Sequence, residues 1–166
     1  MTHEGLIAFA PETSAERLND ERRNGRTLYD TSQIRMLPTK PTPLLIDHDE
    51  GRPLGKVTQL LRLRDLDGWW LTAVAELEEV PSWLRRGTPA SFAFHPLQMS
   101  SFGDNVVRSA LVTEVSVLSA LDPYEPLAKV LYVKPIRAKP AAREEVSYGN
   151  GQLIRRVFRP PTITVR

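Results

Sequence analysis

The chain is 166 residues long, enough for one ordinary domain with a tail, and at 41% hydrophobic and 25% charged it has the composition of a folded protein. It has no cysteine, which excludes a disulfide framework, a thiolate-ligated zinc and a cysteine nucleophile. The net charge of +2 is uneven: residues 134–166 hold eight Lys/Arg against Glu144 and Glu145, so a mildly acidic body, residues 1–133, carries a basic C-terminal segment or tail. No apolar run approaches the roughly 20 residues that span a bilayer. Met1-Thr2-His3-Glu4 lacks the start of a signal peptide, so a soluble intracellular protein is expected.

In chain order, Leu6 to Ala10 reads as a short strand stopped by Pro11. Thr13-Ser14-Ala15-Glu16 has capping-box spacing and opens a highly charged surface helix that Gly25 can end. Residues 28–37 are ambiguous. Pro38, Pro41 and Pro43 then make an extended connector. From Leu44 the pattern is mainly β: Leu44 to His48, Leu54 to Leu63 and Trp69 to Leu77 are strands, divided by turns at Gly51-Arg52-Pro53 and Asp65-Leu66-Asp67-Gly68. Pro81 to Gly87 predicts a short helix with proline in its first turn and glycine after its end. Ala90 to Phe94, Val106 to Ala110 and Leu111 to Leu118 resume the strands, and Pro123 to Val133 is a short helix or irregular piece leading into another. Closely spaced strands with few helices predict a mainly β fold (α+β), a closed or partly closed β-barrel wrapped by short helices.

Three side chains stand out for their chemistry. A serine hydroxyl is a poor nucleophile without a base, imidazole suits that role, and an acid must fix the imidazole's tautomer. His48 ends an apolar strand beside a turn, where it is both held and accessible; the alternative is a surface histidine paired with Asp47 or Asp49. Ser91 begins a strand of small and aromatic residues, with Ala90 and Ala93 leaving room for a substrate carbonyl. The alternative is a plain strand serine, like Ser100, Ser101, Ser109 and Ser116. Glu114 lies in a valine-rich strand whose alternation puts Val112, Glu114, Ser116 and Leu118 on one face. A carboxylate there needs a partner: His48, an arginine such as Arg108, or solvent at a sheet edge.

His95 cannot serve Ser91 directly, because four strand residues separate them by roughly 13 Å. His3 sits at an unanchored terminus. Asp47-His48-Asp49-Glu50 is a poor metal site, since neighbours on a strand point to opposite faces and no second histidine stands at ligand spacing. No phosphate-binding loop or dinucleotide fingerprint occurs, so no cofactor is expected. Trp69, Trp70 and Trp83 read as core.

Taken together these segments resemble the prohead (capsid maturation) serine proteases of tailed bacteriophages. Three features carry the resemblance, in the family's order: the strand ending in His48 with Gly51-Arg52-Pro53-Leu54-Gly55-Lys56-Val57 after it; Ser91-Phe92-Ala93-Phe94, where the family shows Ser-Ile-Gly-Phe; and Leu111-Val112-Thr113-Glu114-Val115-Ser116-Val117-Leu118, followed by Ala120 and Pro123. The similarity covers residues 44–133. It implies a herpesvirus assemblin-like barrel as a protease domain over residues 1–133, with His48 as base, Ser91 as nucleophile and Glu114 as third member. Backbone amides, aided by Arg108, would stabilise the oxyanion.

The implied activity is a serine endopeptidase that cleaves scaffolding portions of capsid proteins, and itself, inside an assembling procapsid in the host cytoplasm. Its implied partners are the major capsid protein or scaffold and a second copy as homodimer, with neither membrane nor nucleic acid. Ala93 and Phe92 depart from the family's glycine and isoleucine. The alternatives are a catalytically inactive capsid-assembly or scaffolding factor on the same fold and a small barrel that binds nucleic acid through its tail, which salt dependence would reveal.

Overall fold

A computed structural model describes residues 2–100 and 104–137, together with the backbone of strands 143–149 and 152–158. The chain divides into two compact units, Met1–Ile136 and Arg137–Arg166. The second holds an antiparallel hairpin of β10 (Arg143–Gly149) and β11 (Gln152–Phe158); of the rest of the predicted basic tail, Lys134 and Pro135 end a strand of the first unit, and residues 138–142, 150–151 and 159–166 lie outside the described residues.

The first unit is predominantly β. Its strands are β1 (His3–Pro11), β2 (Leu28–Tyr29), β3 (Ile34–Met36), β4 (Thr42–Ile46), β5 (Asp49–Asp65), β6 (Gly68–Leu77), β7 (Ala90–Met99), β8 (Val106–Val117) and β9 (Lys129–Pro135), joined in one nine-stranded sheet. The segments expected as Val106 to Ala110 and Leu111 to Leu118 form the single strand β8, the axis of the unit. Along one edge β8 carries β2, β3 and β4 in succession, all parallel to it. Along the other it carries antiparallel β7. From β4 the sheet continues through β5, β6 and β1 to β9.

The sheet does not close into a barrel, which corrects the closed form of that expectation. At the seam Gly87 N–H donates to Val130 O and Val130 N–H to Thr88 O (both 2.8 Å), and Ala90 N–H donates to Ala128 O (3.1 Å). Beyond Ala90 no backbone bond joins β7 to β9 among the described residues. Residues 81–87 form two turns rather than the predicted helix: Leu84 N–H donates to Pro81 O, Arg85 N–H to the Thr88 hydroxyl and Gly87 N–H to Val130 O.

Nor do helices wrap the sheet. The charged helix shrinks to α1 (Ala15–Leu18), capped by Ser14, which accepts from Arg17 N–H, and not by Thr13. Asn19 and Asp20 follow, residue types whose side chains compete for backbone bonds and lower helix propensity. Arg17 meanwhile reaches back to the Glu12 and Trp69 carbonyls and to Asp67. No helix among the described residues is long and apolar enough to cross a membrane.

The core is drawn from strands across the whole sheet. Ile7, Phe9, Leu44, Trp70, Leu77, Val112, Val115, Val117 and Val130 are fully buried there, each contributing about 1.5–3 kcal/mol or more by leaving water. Of the tryptophans read as core, Trp70 is buried and donates Nε1–H to Asp67, whereas Trp69 is exposed beneath the Arg62 guanidinium. Gly55 is required by close approach: a β-carbon there would lie 2.0 Å from the Glu76 carbonyl oxygen.

Candidate active site

The chain reverses between β4 and β5 at Asp47-His48, not at Gly51-Arg52-Pro53. Ile46 pairs with Asp49 across a two-residue loop whose residues both have positive φ, 53° and 61°, the twist that matches a tight hairpin. Leu45 pairs with Pro53, so Glu50, Gly51 and Arg52 bulge out of the ladder, and Pro53 stands where a bulge tolerates it. Aspartate and histidine are among the few residues other than glycine that enter this conformation readily.

Asp47 holds that conformation in place. Its carboxylate accepts from the Ser119 amide (2.8 Å) and hydroxyl and from the Ala120 (3.1 Å) and Leu121 (3.3 Å) amides, and it pairs with Arg52. Its own N–H donates to Val117 O. Burial would raise its pKa, but the Ser119 hydroxyl and the three amides outweigh that and hold the carboxyl well below the usual range.

The turn lays His48 back over β8. Its Nδ1 contacts Glu114 Oε1, and its backbone N–H donates to Ser116 Oγ (3.3 Å). The Ser116 hydroxyl in turn donates to Glu114 Oε2 (2.9 Å). Both oxygens of a carboxylate that is 11% exposed are thereby occupied, while the imidazole is 36% exposed and reaches solvent. Of the partners open to Glu114 from the sequence, His48 is the one the structure supplies.

Register brings in Ser91. Ser91 lies directly opposite Ser116, and Ala93 opposite Glu114. Residues paired this way share a face, with β-carbons about 4.5–5.5 Å apart. Ser91 is therefore on the side of the sheet that carries Glu114 and Ser116. Phe92, opposite Val115, faces the core and packs on Phe9 and Tyr29 at ring-centroid distances of 4.8 and 5.2 Å.

Val112 does not share the face of Glu114, because the register skips Thr113 between Ala93–Glu114 and Phe94–Val112. That one-residue bulge turns Val112 into the core along with Val115 and frees Glu114 for His48. Arg108 is not brought here: it pairs with Asp104 (3.5 Å) and lies six residues up β8, about 20 Å from Glu114. His95 is exposed on β7 opposite Leu111, beyond the bulge.

Two contributors escaped the sequence. Ser116 reads as a plain strand serine, yet it is fully buried and links Glu114 to the His48 backbone; the signal is the Glu-x-Ser spacing, which puts both residues on one strand face. Asp47 reads as a charged neighbour of His48, and nothing local reveals that its partners lie 72 to 74 residues away.

No protein-family profile matches the chain, and no curated protein matches it in sequence. A solved structure, that of varicella-zoster virus protease, is similar at 14% identity with a TM-score of 0.42, over 81% of this chain and 64% of the viral one. The chain thus spans less than two thirds of that protein's length.

Proposed function

We propose that the protein is a serine endopeptidase of the phage prohead type, with Ser91 as nucleophile, His48 as general base and Glu114 as the acid that orients it. The contact of His48 Nδ1 with Glu114, on the sheet face to which register assigns Ser91, carries the proposal. With Nδ1–H held by the carboxylate, Nε2 keeps its lone pair and takes the Ser91 proton as Oγ attacks a peptide carbonyl. The resulting imidazolium is stabilised by the buried Glu114 and returns the proton to the leaving amine. Water then repeats the cycle on the acyl-enzyme.

Strand alternation offers an oxyanion donor. Ala90 N–H faces the seam, where it reaches Ala128 O, so the amide two residues on, that of Phe92, faces the same way. It stands next to the nucleophile without a backbone partner on that side among the described residues, and replaces Arg108 in this role. Ser116 is not a rival nucleophile, because it is fully buried and its hydroxyl is committed to Glu114.

The ordered resemblance of residues 44–133 to the prohead proteases supplies the substrate: the scaffolding portion of a capsid protein, and the chain itself. The test is co-expression of the chain, or its Ser91→Ala variant, with the cognate capsid protein. Processing should stop in the variant, with its fold intact by circular dichroism. Undiminished processing would refute the proposal, and a chain that processes nothing and takes up no fluorophosphonate would be a silent assembly factor.

A further inference from the structure

The pairing of β7 with β8 runs one step beyond the strands themselves: Leu118 N–H donates to Pro89 O (2.8 Å), next to the pairs Ala90–Val117 and Ser91–Ser116. By alternation Pro89 shares its face with Ser91, and Leu118 with Ser116, about 7 Å along the strands. Leu118 is buried yet stands apart from the core cluster that takes in Ala90, Val115 and Val117, as a residue of the other face should. At this pair lies a groove of about 380 Å³, walled by Trp83, Pro89 and Leu118 and bordered by Arg85, Arg86 and Ser119. Ser119 also ties the groove to the base, because its amide and hydroxyl hold the carboxylate of Asp47, the neighbour of His48.

The charge of the groove is one-sided. No acid lines it, and Arg85 and Arg86 are exposed without an ion pair among the described residues. Two carboxylates of this region are committed elsewhere. Asp47 accepts from Ser119, Ala120 and Leu121 and pairs with Arg52. Asp65 pairs with Lys129 (3.2 Å), and its carboxyl is held below the usual range first by the Leu66 amide, then by Lys129, and last by Arg86. The Ser119 hydroxyl is given to Asp47 and the Thr88 hydroxyl accepts the Arg85 amide, so the two guanidiniums are the charged groups the groove presents. Apolar walls with two unpaired guanidiniums complement a carboxylate on a short stem: the methylenes meet Trp83, Pro89 and Leu118, and the planar fork of an arginine takes both oxygens. A basic side chain would meet like charge, and an apolar one would gain the walls alone. We infer that this groove selects aspartate or glutamate in the substrate, within about two residues of the bond that Ser91 attacks. The inference rests on the endopeptidase proposal, because Ser91 and His48 beside the groove are what make its ligand a substrate.

The experiment uses the full chain and a mixture of random-sequence peptides, read by mass spectrometry in two ways: the bonds the chain cuts, and the peptides its immobilised Ser91→Ala variant captures. Asp and Glu should be enriched at least about fivefold at a position within two residues of the cut bond, and in the captured set as well. Arg85→Gln combined with Arg86→Gln should lose both enrichments, and Arg85→Glu combined with Arg86→Glu should transfer them to Lys and Arg. These replacements spare the turn, which is held by the Leu84, Arg85 and Gly87 amides and not by the two side chains. A chain that cuts without acid enrichment there, or keeps the enrichment after both arginines become glutamine, overturns the inference and leaves the endopeptidase standing. If nothing is cut and fluorophosphonate leaves Ser91 unlabelled, the endopeptidase proposal falls instead. Whenever nothing is cut, capture decides the groove. Acidic peptides held by the Ser91→Ala variant, and lost when Arg85 and Arg86 are also replaced by glutamine, uphold its carboxylate selectivity; capture indifferent to acids, or no capture, overturns it.

Discussion

Replacing Glu114 by glutamine changes one oxygen for an NH2 group at a site where both oxygens accept, one from His48 and one from Ser116. If the NH2 turns to His48, Nδ1 must accept and the imidazole proton moves to Nε2, the nitrogen that receives the Ser91 proton in the proposed mechanism. If it turns to Ser116, that hydroxyl already accepts from the His48 amide and must take a second donor while its own hydrogen loses the carboxylate. In either orientation no negative charge remains to stabilise the imidazolium. Loss of the equivalent acid elsewhere lowers turnover by about 10⁴, or about 5 kcal/mol of barrier at 1.36 kcal/mol per tenfold. Buried contacts here are of the same kind, so Glu114→Gln should label with fluorophosphonate about 10³–10⁴ times more slowly than the unaltered chain. Stopped-flow or gel-based labelling rates measure this directly, with Ser91→Ala as zero. A Glu114→Gln rate within a factor of about three of the unaltered chain, with labelling still confined to Ser91, would refute the role assigned to the carboxylate.

Ser116→Ala should slow labelling about tenfold and lower stability by about 1–3 kcal/mol, because it strips a bond from a buried carboxylate; urea midpoints read the second effect. Asp47→Asn should cost about 0.5–2 kcal/mol by weakening the acceptors for Ser119, Ala120 and Leu121. Since folding lowers the Asp47 pKa, its contribution is complete above the ordinary aspartate value of about 3.9 and is lost as pH falls towards the folded value. The stability gap between the two chains should therefore narrow from pH 7 to pH 3, and a gap that widens on acidification counts against the assignment. Gly55→Ala should destabilise by about 2 kcal/mol or more, because its β-carbon meets backbone at 2.0 Å; an unchanged thermal midpoint would show that β5 and β6 can separate without cost.

Much of the architecture was legible because its causes are local. Alternation in Trp69 to Leu77 and Leu111 to Val117 marks strands whichever partners they find, and Asp65-Leu66-Asp67-Gly68 carries its turn in its own residues. His48, Ser91 and Glu114 could be singled out by residue type and setting. The failures share a different cause. The helices of 13–25 and 81–87 had plausible caps, but the first ends after one turn at Asn19 and Asp20, and at the end of the second Gly87 gives its N–H to Val130. Gly51-Arg52-Pro53 has turn composition, but the reversal went to Asp47-His48 because amides more than seventy residues away hold Asp47 in a left-handed conformation.

The chain's own order of residues therefore specified the material: a β-rich body, a histidine, a serine and an acid in sequence, and no thiol chemistry. Their assembly depended on pairings that no short window contains. The parallel placement of β4 on β8 sets His48 over the strand, the skipped Thr113 turns Glu114 towards it, and the β7–β8 register puts Ser91 opposite Ser116. A shift of one residue in either pairing would send Ser91 or Glu114 to the opposite side, because neighbouring strand residues face opposite ways. Hydrophobic burial of Val112, Val115, Val117 and Phe92 across the whole sheet is what selects one register over the other, and that is a property of packed strands, not of any segment alone.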